Sequence, residues 1–357
     1  MSINSNSSLL ERLQAHAQEG YLSLHMPGHK GVNRLGMEQW DITEFDGADN
    51  LYCAGGIIAE SEKNAGKLFG AHTFYSTEGS SQCIRAMLYL VKCYAAEKKL
   101  PCRIAAGRNA HQVFITAAAL LDLDVCWLYS QTDCSYLSCP LQPEELESFL
   151  QETPVAAVYV TSPDYLGNTL DIAALAAVAH RHNCLFLVDN AHGAYLKFLE
   201  PSRHPMDLGA DLCCDSAHKT LCALTGAAYL HISHNAPNML PAHTKQALSL
   251  FGSTSPSYVI LQSLDQQNLV LSGNYREKLK IFTKKVEELK IQLCEYGYIL
   301  QGTEPLKITI CTKPFGYTGD EFADILKQNN LYTEFHDPDF VVLMLTPDHS
   351  DDDLQKI

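Results

Sequence analysis

The sequence predicts an α/β fold in which a mainly parallel sheet is covered by helices on both faces. Short apolar runs alternate with helical stretches from residue 61 to residue 232, a pattern typical of parallel strands joined by helices. Several of these runs are apolar throughout, as expected for strands that are buried on both faces. A helix-rich stretch and further short strands follow, which indicates a smaller α+β unit after the sheet.

The chain before the sheet predicts one helix and an arm. Residues 8–19 (SLLERLQAHAQE) carry apolar side chains at helical spacing, and Gly20 ends the pattern. Residues 21–60 are rich in Gly, Pro and Asp, so we expect them to form an irregular arm.

The elements expected from residue 61 alternate between helix and strand. In chain order they are a helix at 61–70, a strand at 72–76, a helix at 83–99, a strand at 102–106, a helix at 112–121, a strand at 124–129, a helix after Pro143, a strand at 155–160, a helix at 171–182, and strands at 184–189, 210–215 and 227–232. These short runs have the length and apolar composition of buried strands.

The remaining chain predicts long helices and a small domain. Residues 257–297 indicate one or two long charged helices, followed by strands near 306–311 and 340–345 and a helix near 320–329. No Gly/Ser-rich linker separates the two parts, so we expect them to pack closely. The predicted division is an N-terminal helix and arm (1–60), a large domain (61–256), bridging helices (257–300) and a small C-terminal domain (301–357).

Composition limits the classes of function. Lys and Arg total 26 against 41 Asp and Glu, which gives a formal net charge of −15; such a surface disfavours nucleic acid and anionic membranes as partners. No apolar window approaches the ~20 residues of a membrane span, and residues 1–8 lack the apolar core of a signal peptide. The 13 Cys residues are odd in number and form no Cys-x-x-Cys pair, which favours reduced thiols and a cytoplasmic protein.

Two strand ends carry a carboxylate and an amine. Asp189 ends the run CLFLVD, and Lys219 follows the run ADLCCD within SAHKT. Ligands bind beyond the carboxyl ends of strands in such sheets, although Asp189 could also only cap the next element. A desolvated lysine is a nucleophilic amine that can form an imine. Together the two residues are the pair that pyridoxal phosphate (PLP) chemistry requires, because a carboxylate keeps the pyridine nitrogen protonated.

Two further turns have features of a cofactor site. Residues 77–81 (TEGSS) stand where a strand turns into a helix, so backbone N–H groups and hydroxyls would converge at the positive end of that helix. His111 begins another helix after a strand, where an imidazole could stack on a cofactor ring or serve only as a structural residue. No metal site is expected, because Pro27 and Gly28 separate His25 from His29 and make a helical ligand pair improbable.

Eight segments of the chain resemble the Orn/Lys/Arg decarboxylase family of fold type I PLP-dependent enzymes, in the order of that family, and the resemblance covers nearly the whole chain. They are LHMPGHKG (24–31), DITEFDGADNLYCAGGIIAESEKNAGKLFGA (41–71), TEGSS (77–81), RNAHQ (108–112), TSPDYLG (161–167), VDNAHGAY (188–195), SAHKT (216–220) and FGSTSPSY (251–258).

This resemblance implies a PLP site and roles for individual residues. Lys219 would carry the PLP aldehyde as an imine, Asp189 would pair with the ring nitrogen, His111 would stack on the ring and His192 would lie beside it. The residues that would bind the phosphate are Gly79, Ser80, Ser81, Ser216 and His218. The resemblance also implies a homodimer or larger homo-oligomer, in which Ser253 and Thr254 reach the phosphate of the neighbouring subunit.

The sequence departs from the family pattern in three places. Asn190 stands where the family usually has Glu, Glu78 places a carboxylate in the phosphate turn, and the chain ends at Ile357, where family members usually continue into a further C-terminal region. We therefore expect a shortened small domain and a PLP-loaded dimer that turns over weakly with an elevated KM.

The function expected from these features is decarboxylation of a basic amino acid (Lys, Orn or Arg) to an amine and CO2. An aminotransferase or an aldolase on the same fold would keep the Lys–Asp pair, and a PLP-binding protein without catalysis is the remaining alternative. The cationic side chain of the substrate needs a carboxylate, and the sequence leaves five candidates open, namely Glu44, Asp46, Asp49, Asp164 and Glu334.

Overall fold

The computed structural model describes residues 8–18, 22–44, 48–132 and 135–357. Its first part contains helices and strands in this order: α1 (Leu9–Gln18), α2 (Ile57–Phe69), β1 (His72–Ser76), α3 (Gly79–Lys98), β2 (Arg103–Gly107), α4 (Gln112–Leu120), β3 (Asp124–Leu128), α5 (Pro143–Glu152), β4 (Ala157–Thr161), α6 (Ile172–Arg181), β5 (Leu185–Asp189), β6 (Leu212–Asp215), α7 (Ala217–Thr220) and β7 (Ala228–Ile232). The second part contains α8 (Met239–Ser249), α9 (Tyr258–Ser272), α10 (Tyr275–Glu295), β8 (Ile299–Gln301), β9 (Lys307–Cys311), α11 (Gly319–Gln328), β10 (Phe335–His336), β11 (Phe340–Met344) and α12 (Asp351–Lys356).

Seven strands form the large sheet in the order β1-β7-β6-β5-β4-β2-β3. The pairs β2–β3, β2–β4, β4–β5 and β5–β6 are parallel, and only β7 runs against its two neighbours. A second sheet, in the order β10-β11-β9-β8, is antiparallel throughout. The predicted α/β class, with a mainly parallel sheet and a smaller α+β part, is confirmed.

The two faces of the large sheet bury alternate residues of the same strand, as the two-residue period of a strand requires. In β4, Ala157 and Tyr159 pack into a core that includes side chains of α3, α4 and α8, whereas Val158 and Val160 pack into a core with α5 and α6. A third core joins α1, α2, α9 and α10 to the small sheet.

Some helix boundaries differ from the prediction. Helix α2 begins at Ile57, inside the segment expected to be an irregular arm, and α3 begins at Gly79, four residues earlier than expected. The sequence analysis named no helix at α8, although Pro241 in its first turn is compatible with one because the N–H groups there have no helical acceptor. The four-segment division of the chain stays a prediction.

Within the described part of the chain, no helix is both long enough and apolar enough to cross a membrane. The 12 Cys residues that the structure describes are free thiols, and Cys184 is buried in the core.

Candidate active site

A cavity of about 580 Å³ opens at the carboxyl ends of β4, β5 and β6, beside the first turn of α3. Its volume and its place beyond the strand ends are those of a small-molecule site in an open α/β sheet. It brings together nine of the predicted site residues: Gly79, Ser80, Ser81, His111, Asp189, His192, Ser216, His218 and Lys219.

Lys219 and His192 form the polar centre of the cavity. The Lys219 Nζ lies 3.1 Å from His192 Nε2. Burial, together with the positive charges of Lys307 and Lys219, lowers the pKa of His192 well below its ordinary value, so the imidazole is neutral. A neutral ring that accepts a hydrogen bond from the amine at Nε2 carries its proton on Nδ1.

Asp189 ends β5 and is buried, but one side of its carboxylate borders the cavity. Its Oδ2 accepts a hydrogen bond from the Tyr159 hydroxyl at 3.0 Å, and its Oδ1 accepts from the backbone N–H of Ala191 at 3.1 Å and from the Cys214 thiol at 3.6 Å. The carboxylate therefore caps the following turn and also borders the cavity; its role toward a ligand stays a prediction.

The first turn of α3 has the form of an anion site. Gly79 has a φ of 72°, and a side chain there would be strained; its N–H donates to the Gly226 carbonyl at 2.8 Å. The side chain of the N-cap residue Glu78 makes no capping hydrogen bond, so in the described part of the chain the N–H groups after Gly79 remain able to bind an anion. The Ser216 hydroxyl donates to Ser80 Oγ at 2.9 Å, which places two hydroxyls beside this turn.

His111 and His218 are held by the backbone. His111 is the N-cap of α4, where its Nδ1 accepts the Val113 N–H at 3.2 Å. The ring is exposed on the cavity wall, so this cap leaves its face open to a ligand. His218 donates from Nδ1 to the Ala227 carbonyl at 2.9 Å, which leaves Nε2 as its free ring nitrogen.

The cavity contains polar groups that the protein leaves unpaired. Within the described residues, His192 Nδ1 and Thr161 Oγ1 are buried and have no hydrogen-bond partner, and both residues line the cavity. Buried polar atoms of this kind usually bind a ligand or water. A reactive amine, a strand-end carboxylate, an uncapped helix N-terminus and an exposed imidazole face fit the aldehyde, the pyridine nitrogen, the phosphate and the ring of PLP.

Ser253 and Thr254 are not brought into this cavity. Both are exposed, and neither borders the cavity of its own chain. The Ser253 N–H donates to Glu78 Oε1, so this segment is joined to the phosphate turn through the Glu78 carboxylate. The role of Ser253 and Thr254 in a neighbouring subunit stays a prediction.

Sequence reasoning missed two tyrosines at the mouth of the cavity. Tyr165 packs edge-on against His192, with ring centroids 5.0 Å apart, and its hydroxyl donates to Glu334 Oε1 at 3.1 Å. Tyr136 donates to Asp337 Oδ2 at 3.3 Å. Each pair joins a loop of the large sheet to the small sheet. No sequence signal could have found these pairs, because the two members are far apart in the chain.

The carboxylates considered for the substrate side chain differ in their availability. Asp49 accepts five backbone N–H groups, Asp164 accepts two hydrogen bonds from Asn168, and Glu44 accepts one from Asn50. Glu334 is exposed and contacts a tyrosine of the cavity wall. Asp46 lies outside the described residues.

Lys307, in β9, adds a buried positive charge behind the cavity wall. Its Nζ donates to the Asp164 carbonyl at 2.9 Å and lies 5.6 Å from the centre of the Tyr165 ring. Burial lowers the pKa of Lys307 to about 8.

A second polar cluster lies next to the cavity but is closed. Asp215, at the end of β6, accepts hydrogen bonds from His204 Nε2 at 2.9 Å and His231 Nε2 at 3.1 Å, and from Asn190 Nδ2 at 2.7 Å. His204 Nδ1 accepts the Met206 N–H at 3.3 Å, so the ring proton is on Nε2 and points at the carboxylate. These residues therefore form a hydrogen-bonded network, in which His204 has no lone pair to offer a metal.

Sequence comparison places this chain among known proteins. Residues 7–296 match the profile of the family described as "Orn/Lys/Arg decarboxylase, major domain". The chain is 29% identical to an uncharacterized protein, YaaO, of Bacillus subtilis, over 95% of this chain and 74% of that protein. It is 28% identical to an arginine decarboxylase of the same organism, over 97% of this chain and 74% of that protein.

Solved structures share the fold. A lysine decarboxylase of Francisella novicida, LdcF, superimposes with a TM-score of 0.79 at 17% identity over 98% of this chain. Lysine decarboxylase A of Pseudomonas aeruginosa gives a TM-score of 0.81 at 17% identity over 97% of this chain. The chain spans 58% of the length of each of these two proteins.

Proposed function

Because the chain belongs to the Orn/Lys/Arg decarboxylase family, we propose that it catalyses the PLP-dependent decarboxylation of a basic amino acid. The observation that carries this proposal is one cavity that holds Lys219, its partner His192, and the strand-end carboxylate of Asp189. The same cavity has the uncapped first turn of α3 at its edge.

The proposed roles follow from the contacts of each group. PLP, when bound, supplies an electron sink for the bond that joins the substrate α-carbon to its carboxylate. Lys219 Nζ would hold the aldehyde carbon, Asp189 would keep the ring nitrogen protonated, and the exposed face of His111 would cover the ring. Ser80, Ser81, Ser216, His218 and the backbone N–H groups that follow Gly79 would hold the phosphate.

Lys219 and His192 are the groups that we propose to move protons. Once the substrate amine has displaced it, Lys219 Nζ is free to return a proton to the α-carbon after CO2 has left. His192 is neutral and lies within hydrogen-bond distance of that amine, so it can hold the amine in place and exchange a proton with it.

We propose that Glu334 binds the cationic side chain of the substrate and that arginine is the preferred substrate. Among the described candidates, Glu334 is the exposed carboxylate that contacts the cavity wall, through Tyr165, and a carboxylate can bind a guanidinium through two parallel hydrogen bonds. Similarity to the Bacillus subtilis arginine decarboxylase supports the same choice.

We also propose that the chain acts as a homodimer in which Ser253 and Thr254 complete the phosphate site of the other subunit. Their exposure supports this role, as does the run of exposed apolar side chains on the arm, which comprises Leu22, Leu24, Met26, Val32 and Leu35. Such a surface is typical of a protein–protein interface.

The test is turnover of PLP-loaded protein with arginine, lysine and ornithine, with CO2 and amine measured in each case. We expect arginine to give the highest kcat/KM and borohydride reduction to place the pyridoxyl group on Lys219. Lys219→Ala is the matched control and should give neither product nor label. A label on another lysine would contradict the assignment of Lys219. PLP loading without CO2 release would contradict the decarboxylase, and amino transfer to a keto acid would favour the aminotransferase.

A further inference from the structure

Tyr159 is a fully buried side chain that no part of the proposed mechanism uses. It lies in β4, next to β5, and the parallel register pairs Tyr159 with Leu187 and Thr161 with Asp189. Tyr159 and Asp189 therefore lie on the same face of the sheet, one pleat repeat apart. The Tyr159 hydroxyl donates to Asp189 Oδ2 at 3.0 Å. The phenol is long enough to span the pleat repeat that separates the two residues.

The hydrogen bonds of Asp189 fix the rotation of its carboxylate. Tyr159 binds Oδ2, whereas Ala191 N–H and the Cys214 thiol bind Oδ1. A carboxylate offers about four acceptor positions, so three donors from the protein leave one position for a donor that enters from the cavity. The pyridine N–H proposed for PLP is such a donor.

Tyr159 also contacts the element that carries the proposed ring-stacking residue. Its ring packs on Phe114 of α4, with centroids 4.5 Å apart, and α4 begins at the cap His111. Tyr159 thus supports both Asp189, which we propose to bind the ring nitrogen, and the helix that begins at His111, which we propose to cover the ring face. Burial, together with the negative charge of Asp189, raises the pKa of Tyr159 well above its ordinary value of 10.0, so the phenol stays protonated and donates.

We infer that Tyr159 is a positioning residue that sets where the proton between Asp189 and the cofactor ring nitrogen resides. This inference rests on the proposed function. A hydrogen bond to a carboxylate stabilises its ionised form and makes it a weaker base. With the Tyr159 hydroxyl in place, Asp189 leaves the proton on the ring nitrogen; without it, the carboxylate becomes more basic and the proton moves toward Asp189. A ring that is less protonated is a poorer electron sink.

The experiment is Tyr159→Phe in the full chain loaded with PLP that is ¹⁵N-labelled at the ring nitrogen. We expect the ¹⁵N shift to move from the protonated toward the unprotonated position. We also expect kcat to fall by ~10–100-fold with little change in KM, because a hydrogen bond to a charged group is lost. In an Asp189→Asn background the same substitution should cause no further change in the ¹⁵N shift, since Tyr159 acts through that carboxylate.

Tyr229→Phe is the matched control. Tyr229 is equally buried, and within the described residues its hydroxyl has no partner, so its removal should leave the ¹⁵N shift and kcat unchanged. Should Tyr159→Phe not fold, 4-aminophenylalanine at position 159 keeps the shape and is a weaker donor, and it should move the ¹⁵N shift toward the unprotonated position.

The outcomes separate this inference from the function on which it rests. A wild-type chain that takes up no PLP on Lys219 overturns both. A wild-type chain that loads PLP with a protonated ring nitrogen, together with a Tyr159→Phe variant of unchanged ¹⁵N shift and kcat, overturns the role of Tyr159 alone.

Discussion

Asp189 and Asp215 are two buried carboxylates at the ends of neighbouring strands, and they differ in what completes their hydrogen bonds. Asp215 is fully buried, and four donors from the protein surround it, namely His204, His231, Asn190 and the Cys213 thiol. Asp189 is 3% exposed and borders the cavity on its remaining side. In the sequence both residues are strand-end acids, but only Asp189 has a side on which it can accept a hydrogen bond from a ligand.

The charge state of Asp215 follows from its closed surroundings. Burial alone would raise the pKa of Asp215, but the hydrogen bonds from His204 and His231 lower it well below its ordinary value of 3.8. A complete set of donors therefore serves stability, whereas the incomplete set around Asp189 leaves capacity for chemistry. The two carboxylates can be tested against each other by the same substitution.

The largest effect is expected for Asp189→Asn. The amide cannot keep the ring nitrogen protonated, so turnover should fall by several orders of magnitude. The free energy of unfolding should fall by only ~1 kcal/mol, because the amide oxygen still accepts one of the bonds from Tyr159 and Ala191. Steady-state kinetics and urea unfolding of the apo protein measure the two quantities. Near wild-type turnover would show that Asp189 only caps the turn after β5.

Asp215→Asn is the matched control, and its effects should be reversed. Replacing the carboxylate by an amide leaves buried donors without an acceptor, which should lower the free energy of unfolding by about 1–3 kcal/mol for each donor left unpaired. The folded, PLP-loaded fraction should keep far more activity than Asp189→Asn, since Asp215 does not border the cavity. Equal losses of activity in the two variants would remove the distinction between the open and the closed carboxylate.

The sequence was sufficient to predict that the residues around Asp189 meet at one place. Strand-end position and the order of the family segments indicated Lys219, Asp189 and His192, and the structure brings these side chains into one cavity. The closed half could not be predicted, because His204 and His231 reach Asp215 only after β6 and β7 have paired and the loop before β6 has folded back.

The fold was predicted to a similar extent. Runs of strand length marked all seven strands of the large sheet, and those of the parallel strands are mostly apolar because such strands tend to be buried on both faces. Strands β8 and β10 are short, with three and two residues, so they carry no periodic pattern, and their structure is set by pairing with β9 and β11. Tyr159 was assigned to a strand, but which carboxylate it contacts depends on the register of β4 with β5.

A smaller effect is expected on the pH dependence of stability. Burial lowers the pKa of both His192 and His231 from the ordinary value of 6.5. The positive charges of Lys307 and Lys219 lower the pKa of His192 further, whereas Asp215 opposes the lowering for His231. Below pH 6.5 these histidines bind protons in the unfolded chain but not in the folded chain. Above pH 6.5 these two histidines should therefore not lower the free energy of unfolding. Below pH 6.5 the free energy of unfolding should decrease by up to ~1.4 kcal/mol for each histidine with every pH unit of acidification. Asp215 contributes stability above pH 3.8, which is lost at more acidic pH as its folded-state carboxylate is protonated.

Urea unfolding of the apo protein between pH 7.5 and pH 4.5 would measure this dependence. His192→Gln in the open site and His231→Gln in the closed cluster should each make the slope less steep. His243→Gln, at an exposed histidine, is the control and should leave the slope unchanged. A wild-type protein whose stability does not change over this range would contradict the buried, neutral state of both rings.

The smallest effect is expected for Tyr229→Phe, which tests whether the closed cluster is complete. Tyr229 in β7 lies directly opposite Asp215 in the strand register, as Tyr159 lies near Asp189, yet within the described residues its buried hydroxyl has no hydrogen-bond partner. A buried hydroxyl without a partner costs stability, because it has lost its bonds to water. Removing it should raise the free energy of unfolding by about 1 kcal/mol, with the ring still packed on Phe69 and Tyr75.

Urea unfolding measures the change. Tyr159→Phe is the opposite case, because that variant removes a hydroxyl that is hydrogen-bonded and should lose stability. A loss of stability in Tyr229→Phe would show that this hydroxyl also serves Asp215, and that the donor set around that carboxylate is larger than the two histidines, Asn190 and the Cys213 thiol.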